Sequence, residues 1–222
     1  MFEHKGISIP HIIIPWGVVS LLLIIWNSVV GTLLAFLFTS IVVAGKDIFQ
    51  GNIDGALNRI SASLFAIFYQ PFLYSIVYYT TKLDHGNVLL VSLIIIIWST
   101  DTFAYFLGML LGKHRGVFKV SPKKSIEGFL FGIVFAFIAA YLLYLYHGTE
   151  LALTPFLIAA LSAGVFGQFG DLLESLLKRD AGIKDSSTII PGHGGILDRF
   201  DSFLITVPVF YLLYYLYEWI VL

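Results

Sequence analysis

The chain has 222 residues, 58% of them apolar and 12% charged, with a mean hydropathy of +0.90, a formal net charge of −1 and no cysteine. Soluble domains are about 45–50% apolar and about 25% charged, so a water-soluble fold of this size is excluded and lipid must be part of the solvent. Without cysteine there are no disulfides, no thiolate metal sites and no cysteine nucleophile.

Seven apolar segments follow one another along the chain: Ile12 to Trp26, Val29 to Ala44, Asn58 to Thr80, Val88 to Leu111, Ile126 to Tyr146, Leu151 to Leu177 and Phe203 to Leu222. A spanning helix needs about 20 residues, and segments three to seven meet that length. The first two are short and are separated only by Asn27 and Ser28. They form either a tight helical hairpin or one long tilted helix, and the hairpin is the preferred reading. The N-terminus has a single lysine before the first apolar run and no small-residue cleavage site after it, so that run is expected to stay as a membrane helix. The predicted fold is all-α and polytopic, a single membrane-embedded domain over 1–222 with about seven transmembrane helices. Within it, 1–90 supplies N-terminal helices and 98–222 the charged motifs. With the N-terminus cytoplasmic, twelve of the thirteen Lys and Arg residues fall on the cytoplasmic side and only Lys82 falls outside.

Polar residues at membrane depth are costly and are functional candidates by default. Asp101 lies deep in the fourth segment and shares a helical face with Tyr105, Gly108 and Gly112. Its carboxylate either bonds a neighbouring helix or faces a cavity. The GxxxG pairs Gly108/Gly112 and Gly128/Gly132, and the run Gly164, Gly167, Gly170, point to close helix packing. The loop after segment four holds five basic residues and His114. Its compact stretch Ser121-Pro122-Lys123-Lys124-Ser125 precedes a helix that Ser125 can cap, with Glu127 in the first turn. Ser121, Lys123 and Lys124 are therefore candidates for phosphate binding.

The stretch from Gly170 to Asp201 is the richest. It carries six of the fourteen acidic residues, Asp171, Glu174, Asp180, Asp185, Asp198 and Asp201, together with Lys178, Arg179, Lys184, Arg199 and His193. An all-oxygen carboxylate set suits Mg²⁺ better than zinc or copper. Lysine and arginine beside such a set make sense if the metal arrives with phosphates. The residues by themselves thus indicate a metal-dependent, phosphate-handling site at the cytoplasmic face. His193 fits a phosphate contact or a structural strut better than a general base, since phosphoryl transfer relies mostly on positioning and charge neutralisation.

Ser175-Leu-Leu-Lys178-Arg179, Lys184-Asp185 and Pro191-Gly-His193-Gly-Gly-Ile-Leu-Asp198-Arg199-Phe-Asp201 resemble the signature of the phosphatidate cytidylyltransferases, also called CDP-diacylglycerol synthases. Asp101-Thr-Phe-Ala-Tyr105 ahead of Gly112-Lys113, and Ser121-Pro-Lys-Lys-Ser125-Ile-Glu-Gly128, are similar to the same family. The resemblance covers roughly Trp98 to the C-terminus, and the chain is shorter than typical bacterial members. The resemblance implies a dimeric membrane enzyme that joins CTP to phosphatidate, giving CDP-diacylglycerol and pyrophosphate with Mg²⁺, a second cation being left open. It implies Asp171 and Asp198 as metal ligands. Lys178, Arg179, Lys184 and Arg199 are then the phosphate clamps, with His193 beside them, and Asp101, Glu174, Asp185 and Asp201 are further acidic candidates. Expected partners are CTP, phosphatidate in the leaflet and a second copy of the chain, with no nucleic acid. The expected location is the cell membrane, with the site on the cytoplasmic side. The rival readings are a CTP-dependent synthase or kinase acting on an ether lipid or polyprenol and, from another class, a transporter. A transporter would be expected to show repeat symmetry, and none is evident in the sequence.

Overall fold

In a computed structural model of the chain, the described residues are 5–147, 151–187, 195 and 197–221. They form helices α1 (Ile13–Trp26), α2 (Ser28–Gln50), α3 (Ala56–Ile67), α4 (Leu73–Thr80), α5 (Gly86–Leu111), α6 (Ile126–His147), α7 (Leu153–Leu161), α8 (Gln168–Asp180) and α9 (Leu197–Val221). Two π-helical turns, Phe68–Phe72 and Ser162–Gly167, run α3 into α4 and α7 into α8 without a break. Among the described residues there is no strand, only an isolated antiparallel bridge between Arg115 and Ser125. Six stretches are long and apolar enough to cross a membrane: Ser28–Gln50, Ala56–Thr80, Gly86–Leu111, Ile126–His147, Leu153–Asp180 and Leu197–Val221. With the shorter apolar α1, this is the expected all-α, polytopic fold of about seven helices.

The chain divides into two compact units, residues 1–79 with 180–183, and residues 80–179 with 184–222. In the first unit the preferred hairpin is present. Asn27 breaks the helix by adopting an extended conformation (φ −150°, ψ 109°), and its side chain accepts a hydrogen bond from Val30 N at 2.9 Å to start α2. A β-carbon on Gly31 would collide with the backbone of Leu23, so only glycine lets the two helices fold back so tightly. Ile13, Ile24, Ala35, Val43 and Ile67 form the buried core. At the far end of α2, which runs six residues past the sequence estimate, buried Asp47 accepts both of its hydrogen bonds from Arg59 Nε at 2.9 and 3.0 Å. The rest of the guanidinium donates to the carbonyls of Asn52 and Asp54, which fixes the α2–α3 loop.

In the second unit α5 and α6 lie side by side along their glycines. A β-carbon on Gly128 would sit 2.7 Å from the Ala104 carbonyl and 3.0 Å from Gly108 Cα. Further along the pair, Phe103 and Phe135 stack with centroids 3.7 Å apart. The continuous α7–π–α8 rod packs its small residues on both neighbours: Gly164 on Ala136 of α6, and Gly167 and Gly170 on Thr206 and the Asp201 carbonyl of α9. The glycine runs are thus packing devices. They bring three helices with charged ends close enough for those ends to meet.

Candidate active site

The charged cluster of the second unit is built from four segments. Asp101 comes from α5, Lys124 from the α5–α6 loop, Asp171, Glu174 and Lys178 from α8, and Asp198 and Asp201 from the first turns of α9. The π turn Ser162–Gly167 sets the phase of α8. It packs five residues per turn-closing bond where an α-helix packs four, so the helix beyond it is rotated relative to an uninterrupted α7. Gln168 locks the phase: its Nε2 donates to the Gly164 carbonyl at 2.6 Å and, across to α6, to the Phe129 carbonyl at 3.0 Å.

Two lysines organise the acids. Lys124 Nζ lies 2.5 Å from Asp171 Oδ2, joining residues 47 apart in sequence. Lys178 Nζ lies 2.6 Å from Glu174 Oε2 and 2.6 Å from Asp198 Oδ1. Glu174 is fully buried, and its Oε1 accepts no hydrogen bond among the described residues. Asp198 is saturated on its other oxygen: Oδ2 accepts from Ser186 N (2.9 Å), Ser186 Oγ (2.7 Å) and Gly195 N (2.7 Å). Asp201 Oδ1 accepts from Ser202 N at 2.6 Å, and Asp171 Oδ1 from Ser175 Oγ at 3.4 Å. Asp101 is open to the surface, yet lies within electrostatic reach of Asp171, Asp201 and Lys124.

The charges of this cluster bear on a cation. Among the described residues, five carboxylates lie within electrostatic reach of Lys124 or Lys178. Among the described residues no three acids or histidines converge on one point. Asp171 and Asp198 each hold a different lysine rather than facing one another. The donor set fits a hard ion that takes one or two carboxylates and fills its remaining positions with phosphate oxygens or water, as Mg²⁺ does. It does not fit an ion caged by protein ligands alone.

The other sequence candidates differ in their exposure. Ser121 is half-buried, while Lys123, Arg179, Lys184, Asp185 and Arg199 are exposed. His193 lies outside the described residues. Ser125 caps α6 as expected, with its Oγ 3.1 Å from Gly128 N. Sequence reasoning missed Ser186, which supplies two of the donors that hold Asp198. Its hydroxyl is one of two in Asp185-Ser186-Ser187, with no spacing to set it apart. It also missed the clamp between His114 and Glu127, whose partners are thirteen residues apart across an irregular loop.

Comparison with known proteins places this arrangement. A sequence model described as the cytidylyltransferase family matches residues 2–217. A Bacillus subtilis (strain 168) protein named phosphatidate cytidylyltransferase is 48% identical over 124 residues, 56% of this chain and 46% of that protein. A protein of the same name from Staphylococcus haemolyticus (strain JCSC1435) is 38% identical over 176 residues, 79% of this chain and 65% of the relative. One from Haemophilus influenzae (strain ATCC 51907 / DSM 11121 / KW20 / Rd) is 40% identical over 142 residues, 62% and 49% of the two chains. The chain thus spans about half to two thirds of the length of the curated relatives it matches. Since the family match runs through both units and every segment of the cluster, the chain belongs to the cytidylyltransferase family.

Proposed function

We propose that this chain is a phosphatidate cytidylyltransferase of the bacterial cell membrane, joining CTP to phosphatidate at the cytoplasmic face with Mg²⁺. The observation that carries the proposal is the cluster in which Lys124 pairs with Asp171 of α8 and Lys178 with Asp198 of α9, beside Asp101 and Asp201. The chain is also similar to relatives named for this activity. In the reaction a phosphate oxygen of phosphatidate attacks the α-phosphorus of CTP. The bond from that phosphorus to the oxygen bridging to the β-phosphorus breaks, and pyrophosphate leaves with the electron pair. The nucleophile is already an anion, so no side chain need be ionised. The task for the protein is to hold two polyanions in line and neutralise developing charge.

Lys178 suits that task because Glu174 and Asp198 fix its ammonium, and Lys124 because Asp171 fixes its own. Exposed Lys123, Arg179, Lys184 and Arg199 then guide the triphosphate and the lipid headgroup in from the rim. Mg²⁺ would be held by one or two of the carboxylates of Asp101, Asp171 and Asp201, with Asp198 able to contribute only through Oδ1. When bound, the ion supplies positive charge against the phosphate oxygens. A soluble nucleotide and a lipid that keeps its tails in the leaflet can both reach a pocket at the cytoplasmic ends of membrane helices, and a homodimer is the expected assembly.

The test is purified protein with labelled CTP, phosphatidate and Mg²⁺. CDP-diacylglycerol and pyrophosphate should form in equal amounts. If neither appears, and an ether-linked phosphatidate analogue does not restore them, the proposal fails. Asp198→Asn should lower turnover by roughly a hundredfold or more. Near-parental turnover would remove Asp198 from the site.

A further inference from the structure

Lys124 reaches the cluster from the α5–α6 loop, residues 112–125, which has no regular structure beyond one bridge. A lysine on such a loop would ordinarily sample many positions, so something must hold the loop against α8. The structure shows a neck at its base. Arg115 turns back over the end of α5, donating through Nη2 to the carbonyls of Gly108 (3.2 Å) and Met109 (3.0 Å) and through Nε to Gly112 (3.3 Å). Opposite it, Glu127 in the first turn of α6 takes two donors from His114 on the other limb: Nδ1 at 2.5 Å, and the backbone N–H at 3.2 and 3.3 Å from the two oxygens. The limbs are tied again by Ile126 N to the His114 carbonyl and Gly116 N to the Pro122 carbonyl, both 3.2 Å.

Glu127 is the acid of this neck, and among the described residues its ion-pair partner is His114, not a lysine. A carboxylate is an acceptor without donors, which suits a position where an amide N–H and an imidazole N–H converge. With the neck closed, Lys124 leaves the loop one residue before the capping Ser125 and meets Asp171. We infer that Glu127, acting through its clamp on His114, is a positioning residue that holds the α5–α6 loop so that Lys124 is presented to Asp171. This rests on the proposed reaction only for its consequence, the placement of a phosphate-binding lysine. The placement itself is testable without turnover.

The experiment is amine-selective labelling of the full-length protein in detergent micelles, read lysine by lysine by peptide mass spectrometry. Lys119 and Lys123 on the same loop serve as internal references. In the parent, Lys124 should label several-fold more slowly than Lys123, and Asp171→Asn should remove that protection. Glu127→Ala should raise Lys124 labelling to near the Lys123 rate while the Lys178 rate stays unchanged. Glu127→Gln keeps the shape and one acceptor oxygen, so it should restore part of the protection. His114→Ala, which spares the backbone contact, is a second variant should Glu127→Ala fail to fold. Lys124 protection that is absent in the parent, or that survives both Glu127→Ala and His114→Ala, overturns the inference. A rise in all lysines together also overturns it, since the residue would then be merely structural. Turnover is measured in parallel. A parent that labels as expected but forms no CDP-lipid defeats the proposed reaction and leaves the positioning role standing.

Discussion

Lys178 is surrounded by groups that need its charge. Its side chain is 13% exposed, that of Asp198 9% and that of Glu174 0%. Removing one partner of a buried pair costs about 3–5 kcal/mol because the other charge stays uncompensated, whereas an apolar replacement of the whole pair is often near neutral. Lys178→Met should therefore lower the thermal midpoint in detergent by several degrees. Glu174→Gln added to it should recover a large part of the loss, because Asp198 keeps its three donors from Ser186 and Gly195. A Lys178→Met protein that melts with the parent would show that the triad contributes nothing to stability. Both variants should lose activity, so stability and turnover separate in the double variant. Ser186 belongs to the same account: with its hydroxyl and its amide it supplies two of the four donors that Asp198 has among the described residues.

At the scale of elements, the site depends on how closely helices approach. α5 and α6 touch through Gly108 and Gly128, and a single β-carbon there has no room. Gly128→Ala should destabilise the protein by about 1–3 kcal/mol, the usual cost of overpacking. Gly45 in α2 is a control within the same chain, because a β-carbon there meets nothing within 4 Å. Gly45→Ala should be neutral, or stabilising by about 0.5–1 kcal/mol, since alanine loses less backbone entropy in a helix. Thermal melts of the two variants decide the matter. Equal destabilisation would mean that the glycine contact does not set the α5–α6 spacing. The π turn at Ser162–Gly167 has a related role: it fixes which side of α8 carries Asp171 and Glu174, and Gln168 pins that choice to α6.

For the molecule as a whole, the membrane is the organising solvent. Large apolar side chains such as Leu33, Phe106, Leu110 and Leu142 are more than half exposed, as expected where the surrounding medium is lipid. α5 has 26 residues, about 39 Å at 1.5 Å per residue, enough to cross a hydrocarbon core of about 30 Å. Its ends must therefore face opposite sides. Because the chain has no cysteine, single-cysteine variants report topology cleanly. Lys123→Cys and Lys184→Cys should react with an impermeant maleimide from the cytoplasmic side, and Lys82→Cys only from the other. Reaction of Lys82→Cys and Lys123→Cys from the same side would refute a single crossing by α5.

The sequence alone determined the broad outcome, because lipid imposes simple rules. Apolar runs of spanning length had to be helices, and Asn27 and Ser28 marked where the first two turn back. Charge could gather only where those runs ended, which singled out Lys124 and the stretch from Asp171 to Asp201, while Asp101 stood out as a carboxylate deep within a run. Only the tertiary structure decided how those charges pair. Lys124 and Asp171 are 47 residues apart, Lys178 and Asp198 twenty, and His114 and Glu127 thirteen across an irregular loop. Helical periodicity relates residues one or two turns apart and says nothing over such separations. Pairing across them is fixed by the glycine-mediated approach of α5, α6, α8 and α9, and by a π turn that no local pattern announces.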